Sequence, residues 1–303
     1  RRQRQMCIRD RQYIVVVIIR QLWNKSIHFR NNTNSLHTNI TIAKYIYYDV
    51  KYRYRKVGGS MAIEIFNRYE KKYMIDKSVY EAITGYLTDY MKPDRYCVNG
   101  KKYTICNIYF DTDTDELIRR SIDKPVYKEK LRLRSYGTPS DDSEAFIEIK
   151  KKYKGIVNKR RTTMTLKEAE NFIYKGMIPD SPEVNRQVLS EIRYFLDYYK
   201  VSPKVYISYE RSAFYGIEDD SFRVTFDDNI LARRDELDLR KGSFGEPILD
   251  KDKLLMEVKT SGGMPMWFLP VLSEYGIYPI SFSKYGTEYI NYFTNYKGDI
   301  TYV

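Results

Sequence analysis

The stretch Tyr127-Lys-Glu-Lys-Leu-Arg-Leu-Arg-Ser-Tyr136 constrains this chain more than any other. Read with the two-residue period of a strand, it places Lys128, Lys130, Arg132 and Arg134 on one face. Tyr127, Glu129, Leu131 and Leu133 fall on the other. Four cations in line repel one another unless water or an anion answers them. A solvated sheet face is the plain reading of one such strand. Here the pattern recurs. Glu148, Lys150 and Lys152 oppose Ile147 and Ile149, and Arg223, Thr225 and Asp227 oppose Phe222, Val224 and Phe226. Glu257 and Lys259 oppose Met256 and Val258, Glu70 and Lys72 share a face with Arg68, and Tyr209 goes with Arg211. Strands with one charged and one apolar face can close into a barrel with a polar interior and helices outside. The expected fold class is therefore α+β: an antiparallel β-barrel of about eight strands forming a charged tunnel, with peripheral helices.

Between the strands, helices are expected at about 77–91 (stopped by Pro93), 115–121, after Thr165, 183–199, 264–272 and 285–292. Thr165 and Glu168 have the spacing of a capping box. Residues 159–165 read as the approach to that helix. Residues 228–250 read as irregular, with strand potential near Ile230–Arg233. Trp267 and the aromatics beside it read as core.

The net charge of +12 belongs to one end of the chain. Residues 1–60 hold 13 Lys/Arg against 2 Asp/Glu, whereas residues 61–303 hold 39 against 38. The first segment has no sustained apolar period, and its run Tyr13–Ile19 is far too short to span a membrane. Gly58-Gly-Ser60 directly precedes Met61, as a translated ribosome-binding site would, and Met6–Arg11 resembles adapter read-through. The expectation is a non-native or disordered basic leader over 1–60 and one functional domain over 61–303. A basic arm that meets an anionic surface is the alternative. The body is nearly neutral and carries no reading motif, which argues against nucleic acid as a partner. Cys97 and Cys106 are too few for a disulfide framework, and no transmembrane segment is apparent, so a cytoplasmic protein is expected.

Both histidines, His28 and His37, lie before Met61. The body therefore has no histidine general base, Ser-His-Asp or Cys-His nucleophile, or His-ligated zinc. It has no P-loop and no kinase motif set. What remains is Lys, Arg, Asp and Glu, the residues that hold phosphates together with a hard, oxygen-bound cation. Phosphoryl transfer needs little else, because positioning and charge neutralisation lower its barrier. The inward basic candidates are Lys72, Lys128, Lys130, Arg132, Arg134, Lys150, Lys152, Arg211, Arg223, Lys259 and Lys284. Against them stand only Glu70, Glu148, Asp227 and Glu257. That excess exceeds what one metal-bound triphosphate requires.

Glu70-Lys-Lys72 resembles the E-x-K signature of triphosphate tunnel metalloenzymes. Further pieces are Tyr109–Asp111, Lys130–Arg134, Glu148–Lys150 with Lys159–Arg161, and Tyr209–Arg211. Arg223–Asp227, Met256–Lys259 and Ser283–Lys284 complete the set. In this order they resemble the vacuolar transporter chaperone (VTC) catalytic domain, the polyphosphate polymerase branch of that superfamily, over about residues 63–292. Each piece alone is weak; the ordered set is specific. The resemblance implies that the γ-phosphate of ATP passes to a growing polyphosphate chain in a tunnel, assisted by Mn²⁺ or Mg²⁺. ATP and inorganic polyphosphate would be the partners. By motif, Lys72, Arg132, Arg134, Lys150, Arg211 and Lys284 would act on the triphosphate. Lys130, Lys152, Arg161, Tyr209, Arg223 and Lys259 would bind substrate or polymer, and Glu257, Glu70 and Glu148 would hold metal. Other readings stay open: Glu257 as a counter-ion to Lys259, a tunnel triphosphatase, and a non-catalytic polyphosphate-binding module.

Overall fold

In the computed structural model, residues 69–296 are described, apart from 98, 99, 155, 182 and 183. The expected leader, and the part of the first strand before Tyr69, lie outside the described residues. β1 (Tyr69–Asp76) runs straight into α1 (Lys77–Leu87). Asp76 stands at the helix N-cap, but its carboxylate meets Lys253 at 2.7 Å instead of capping. α1 stops at Leu87, short of the expected Met91. Met91–Pro93 instead forms β2, paired with Phe214–Gly216. That stretch lies past the last β3 partner, Arg211, and would otherwise leave backbone groups open.

The chain continues through β3 (Tyr103–Asp111), α2 (Glu116–Ile122), β4 (Tyr127–Tyr136), β5 (Glu144–Tyr153) and β6 (Ile156–Thr165). α3 (Leu166–Lys175) and α4 (Arg186–Tyr199) follow, then β7 (Ser202–Gly216) and β8 (Arg223–Arg233). β9 (Glu246–Pro247), β10 (Lys253–Thr260), α5 (Leu269–Glu274) and α6 (Lys284–Tyr296) complete the described chain. The capping box forms as expected: Thr165 accepts from the Glu168 amide, and the Glu168 carboxylate accepts from the Thr165 amide. Further expectations change, and the helix expected over 264–272 is α5, at 269–274. Residues 156–165 are a full strand, and 230–233 extend β8 without a break.

All the main strand pairs are antiparallel, in the order β1-β10-β8-β7-β3-β4-β5-β6. Among the described residues the sheet does not close into a barrel, contrary to expectation, since β1 and β6 do not pair. The outer edge of β1 is occupied by Ile280, whose amide donates to the Lys72 carbonyl at 2.7 Å. The sheet nevertheless curls enough to bring β1 and β4 to one segment, where Lys72 donates to the Phe282 carbonyl and Lys130 to the Ser283 hydroxyl. Lys150 of β5 feels Glu70 and Lys72 of β1 and Glu257 of β10.

Two apolar cores cover the outer face. Leu131, Leu133, Ile147, Ile149 and Met164 pack under α3 and α4 through Phe172, Leu189 and Phe195. Tyr73, Val224, Phe226, Met256 and Val258 pack under α1 and Phe268. A third core lies on the inner face at one end, where Ile207, Ile230 and Leu255 meet Ile118 of α2 and Tyr285 of α6. The inner face is thus apolar at that end and charged over the rest.

Candidate active site

The alternation read from the sequence sets the groove. Register carries it across strands: Lys72 faces Glu257, Arg211 faces Asp227, Asn107 faces Arg134, and Tyr109 faces Arg132. Arg132 faces Glu148, Lys130 faces Lys150, and Lys128 faces Lys152. On β6, Lys159 and Arg161 are the partners of Lys150 and Glu148. A bulge interrupts β7–β8, where Tyr209 stands opposite two residues, Asn229 and Ile230. Asn229 takes a φ of 43°, a conformation that asparagine tolerates better than most residues. Bulges re-aim side chains. This one leaves Tyr209 buried beneath Lys284, whose ammonium lies 4.2 Å from the ring centre.

Three ionic nodes organise the site. In the first, Asp227 is fully buried and accepts two hydrogen bonds from Arg211, at 2.6 and 2.7 Å, and one from Lys284 at 2.5 Å. Burial alone would raise its carboxyl; the Arg211 and Lys284 cations hold it below the usual range. In the second, Glu257 meets Lys259 at 2.5 Å and Lys72 at 3.3 Å, while Glu70 lies 3.7 Å from the same Lys72 ammonium. Burial works against the Lys72 charge, but Glu257 and Glu70 keep its pKa raised. In the third, buried Glu148 accepts from Arg132 at 2.6 Å, lies 2.6 Å from Lys159, and stands 3.7 Å from Arg134. Burial opposes its charge, yet Arg132, Arg134 and Lys159 hold it far below the carboxylate range. Arg132 also donates to the Tyr109 hydroxyl, and Arg134 to Asn107 and Tyr209. Burial would raise the Tyr209 phenol, but Arg134, Arg211 and Lys284 lower it.

The lysines of β4 and β5 are arranged differently. Lys130 donates to the Ser283 hydroxyl at 3.0 Å, and Lys128 donates to the Ser121 carbonyl at 2.9 Å. Burial, with Lys128, Lys150 and Lys72 nearby, pushes Lys130 down to about 7. Burial likewise lowers Lys150, although part of its side chain keeps contact with solvent. The segment 280–284 ties the two flanks together. Ile280 bridges to β1, Lys72 donates to the Phe282 carbonyl at 3.0 Å, and Lys130 of β4 reaches Ser283.

Most of the residues named from sequence therefore line one groove. Three sit differently. Arg223 is at the exposed rim, donating to the Asp220 carbonyl. Arg161 is exposed, its guanidinium 4.9 Å from the Phe146 ring. Glu148 is almost fully buried and surrounded by three cations, Arg132, Lys159 and Arg134, an arrangement that suits a counter-ion. Among the described residues, no three of His, Cys, Asp and Glu converge on one point. Glu70 and Glu257 flank a common ammonium from adjacent strands. Two carboxylates completed by substrate oxygens are a donor set that fits Mg²⁺ or Mn²⁺. Lys159, Asn107 and Ser283 went unassigned in the sequence reading. Lys159 was legible through its two-residue spacing from Arg161; the others depend on register and a long-range contact. Asp111 is structural: its carboxylate accepts from the amides of Leu117 and Ile118 and from the Tyr285 hydroxyl.

The family model described as "VTC domain" matches residues 67–293, the span that contains every strand and node above. The chain belongs to the VTC domain family. This agrees with the motif resemblance, whose pieces now lie on one curved face. No curated protein matches this VTC domain in sequence. A solved structure from Bacillus halodurans, reported as a candidate adenylate cyclase, shares 15% identity over 71% of this chain and 92% of its own, with a TM-score of 0.43. One from Hippeastrum, a candidate adenylyl cyclase reported to have dominant triphosphatase activity, shares 15% over 73% and 95%, with a TM-score of 0.46. A Pyrococcus horikoshii protein shares 12% over 74% and 99%, with a TM-score of 0.36. Likenesses of this size carry no argument about activity. Among the described residues, no helix is long and apolar enough to cross a membrane.

Proposed function

We propose that this VTC domain is a polyphosphate polymerase that moves the γ-phosphoryl group of ATP onto a growing polyphosphate chain. One observation carries the reading. The cationic lining does not end at the three nodes but continues along β4 and β5 as the opposed pairs Lys130–Lys150 and Lys128–Lys152, with no carboxylate between them. Like charges directly across a strand pair are unfavourable, and an anion longer than a triphosphate would answer them. Arg132 and Arg134 would clamp the transferring phosphoryl group in bidentate fashion, Lys72, Lys150, Arg211 and Lys284 would surround the triphosphate, and Lys130 and Lys152 would carry the polymer. An oxygen of the terminal polymer phosphate attacks the γ-phosphorus. The new P–O bond forms as the β–γ bridging bond breaks, and ADP leaves. The attacking oxygen is already anionic, so no general base is needed.

A divalent ion bound by Glu70 and Glu257 would add positive charge at the phosphate oxygens. Lys72 and Lys259, which hold Glu257 in this structure, are both long enough to turn to phosphate instead. Hydrolysis would require a carboxylate to activate water. Glu148 is poorly suited, being held strongly ionised by three cations. The test is to incubate the chain with ATP and Mn²⁺ and follow long-chain polyphosphate, ADP and free phosphate together. Polymer with matching ADP is expected. Free phosphate without polymer would make the protein a triphosphatase, and tight polyphosphate binding with ATP left intact would make it a binding module.

A further inference from the structure

Thr225 sits in the middle of β8 on the groove face, between Arg223 and Asp227. Its cross-strand neighbours are Glu257 on β10 and Ala213 on β7. The residue is 7% exposed, and its hydroxyl is a buried polar atom without a hydrogen-bond partner. Leaving such a group unpaired is unfavourable, and valine would fill nearly the same volume without that cost. The neighbours do not relieve it. Glu257 is engaged by Lys72 and Lys259, and Asp227 by Arg211 and Lys284. Ala213, opposite on β7, has no side-chain polar atom to offer it. A free donor set among these cations matches an incoming anion oxygen.

We propose that the Thr225 hydroxyl donates a hydrogen bond to a phosphoryl oxygen of the bound triphosphate, next to Lys259. The proposal rests on the triphosphate reading above and adds a neutral donor to its cationic site. Lys259, folded back onto Glu257 at 2.5 Å, turns to the same phosphoryl group and opens the way to the hydroxyl. The arrangement gives one phosphoryl group a short, uncharged contact of fixed direction. The flexible lysines around it supply charge without direction.

The experiment uses the full chain and its Thr225→Val and Thr225→Ser variants, with sodium tripolyphosphate and no metal. Affinity is measured by calorimetry and stability by thermal unfolding without ligand. Thr225→Val should bind about tenfold more weakly, Thr225→Ser should bind as the wild type does, and ligand-free Thr225→Val should melt at the same or a higher temperature. Unchanged affinity in Thr225→Val overturns the proposal. A lower melting temperature in that variant also overturns it, because the hydroxyl would then have a partner within the protein. A wild-type chain that does not bind tripolyphosphate would bring down the triphosphate reading together with the proposal.

Discussion

The two flanks of the groove hold their charge in opposite ways. On the β7–β8–β10–β1 side every central cation has a carboxylate: Arg211 and Lys284 share Asp227, and Lys72 and Lys259 share Glu257. On the β4–β5 side, Lys130 faces Lys150 and Lys128 faces Lys152, and the contacts of Lys128 and Lys130 are neutral oxygens. The first flank is preorganised without a ligand, because its charges are already balanced and positioned. The second is strained by like charge, and an anion would relieve it. The groove thus keeps its geometry on one side and carries an excess of positive charge on the other.

The largest expected effect breaks the balanced flank. Asp227→Asn leaves Arg211 and Lys284 beside a buried neutral group, and should cost about 3–5 kcal/mol of stability, read by urea unfolding. A loss below about 1 kcal/mol, the range of an exposed ion pair, would mean that water screens the node. Next comes the clamp at the seam between the flanks. Arg132→Ala or Arg134→Ala should reduce turnover by about 10²–10³, as loss of a transition-state donor does. Folding should be retained, because Glu148 keeps Lys159 at 2.6 Å. Unchanged turnover in either purified variant would remove the groove face from the chemistry.

The strained flank should respond with the opposite sign. Lys130→Met should raise the stability of the ligand-free protein by up to about 1 kcal/mol, by relieving cross-strand repulsion, while weakening polyphosphate binding. A variant that is both less stable and unimpaired in binding would show the comparison to be wrong.

A smaller effect is set by pH. Lys130 is pushed down to about 7 in the folded chain, below the unfolded lysine range. Its cost to stability is therefore full below about pH 7 and is relieved as pH rises towards the ordinary lysine pKa, because there the unfolded chain binds more protons. An anion in the groove restores the charge. Tripolyphosphate binding at about pH 8 should take up protons, and affinity should fall as pH rises from neutrality. Calorimetry in two buffers of different ionisation enthalpy checks this. A heat that does not depend on the buffer would take Lys130 out of contact with the ligand. The smallest and most local change is Glu257→Gln, expected to shift the Mn²⁺ titration of activity to higher concentration. A superimposable titration would leave Glu257 as a counter-ion alone.

Features set by local physics are legible in the sequence. Alternation with a period of two placed Lys128 to Arg134 on one face because a strand allows no other geometry. The Thr165–Glu168 cap formed because both of its partners lie within one turn. Features decided far away in the chain are not legible in this way. Residues 159–165 read as a helix approach, yet β5 offered a free edge and made them strand. Asp111, to which the motif gave no role, holds a helix N-terminus and the Tyr285 hydroxyl. Glu148, assigned to metal, became the counter-ion of three cations that three neighbouring strands bring to it.

Alternation along the sequence sets which side chains share a face, and that face carries Lys, Arg, Asp and Glu with no histidine. Tertiary pairing decided that the sheet stays open among the described residues. It also decided that Ile280 takes the β1 edge and that Lys72 and Lys130 meet adjacent residues of one segment. It decided, too, which cations are answered by carboxylates and which are left for a ligand. Periodicity is written residue by residue, whereas register and ion pairing depend on which strands lie side by side, a choice made by burial of the outer cores.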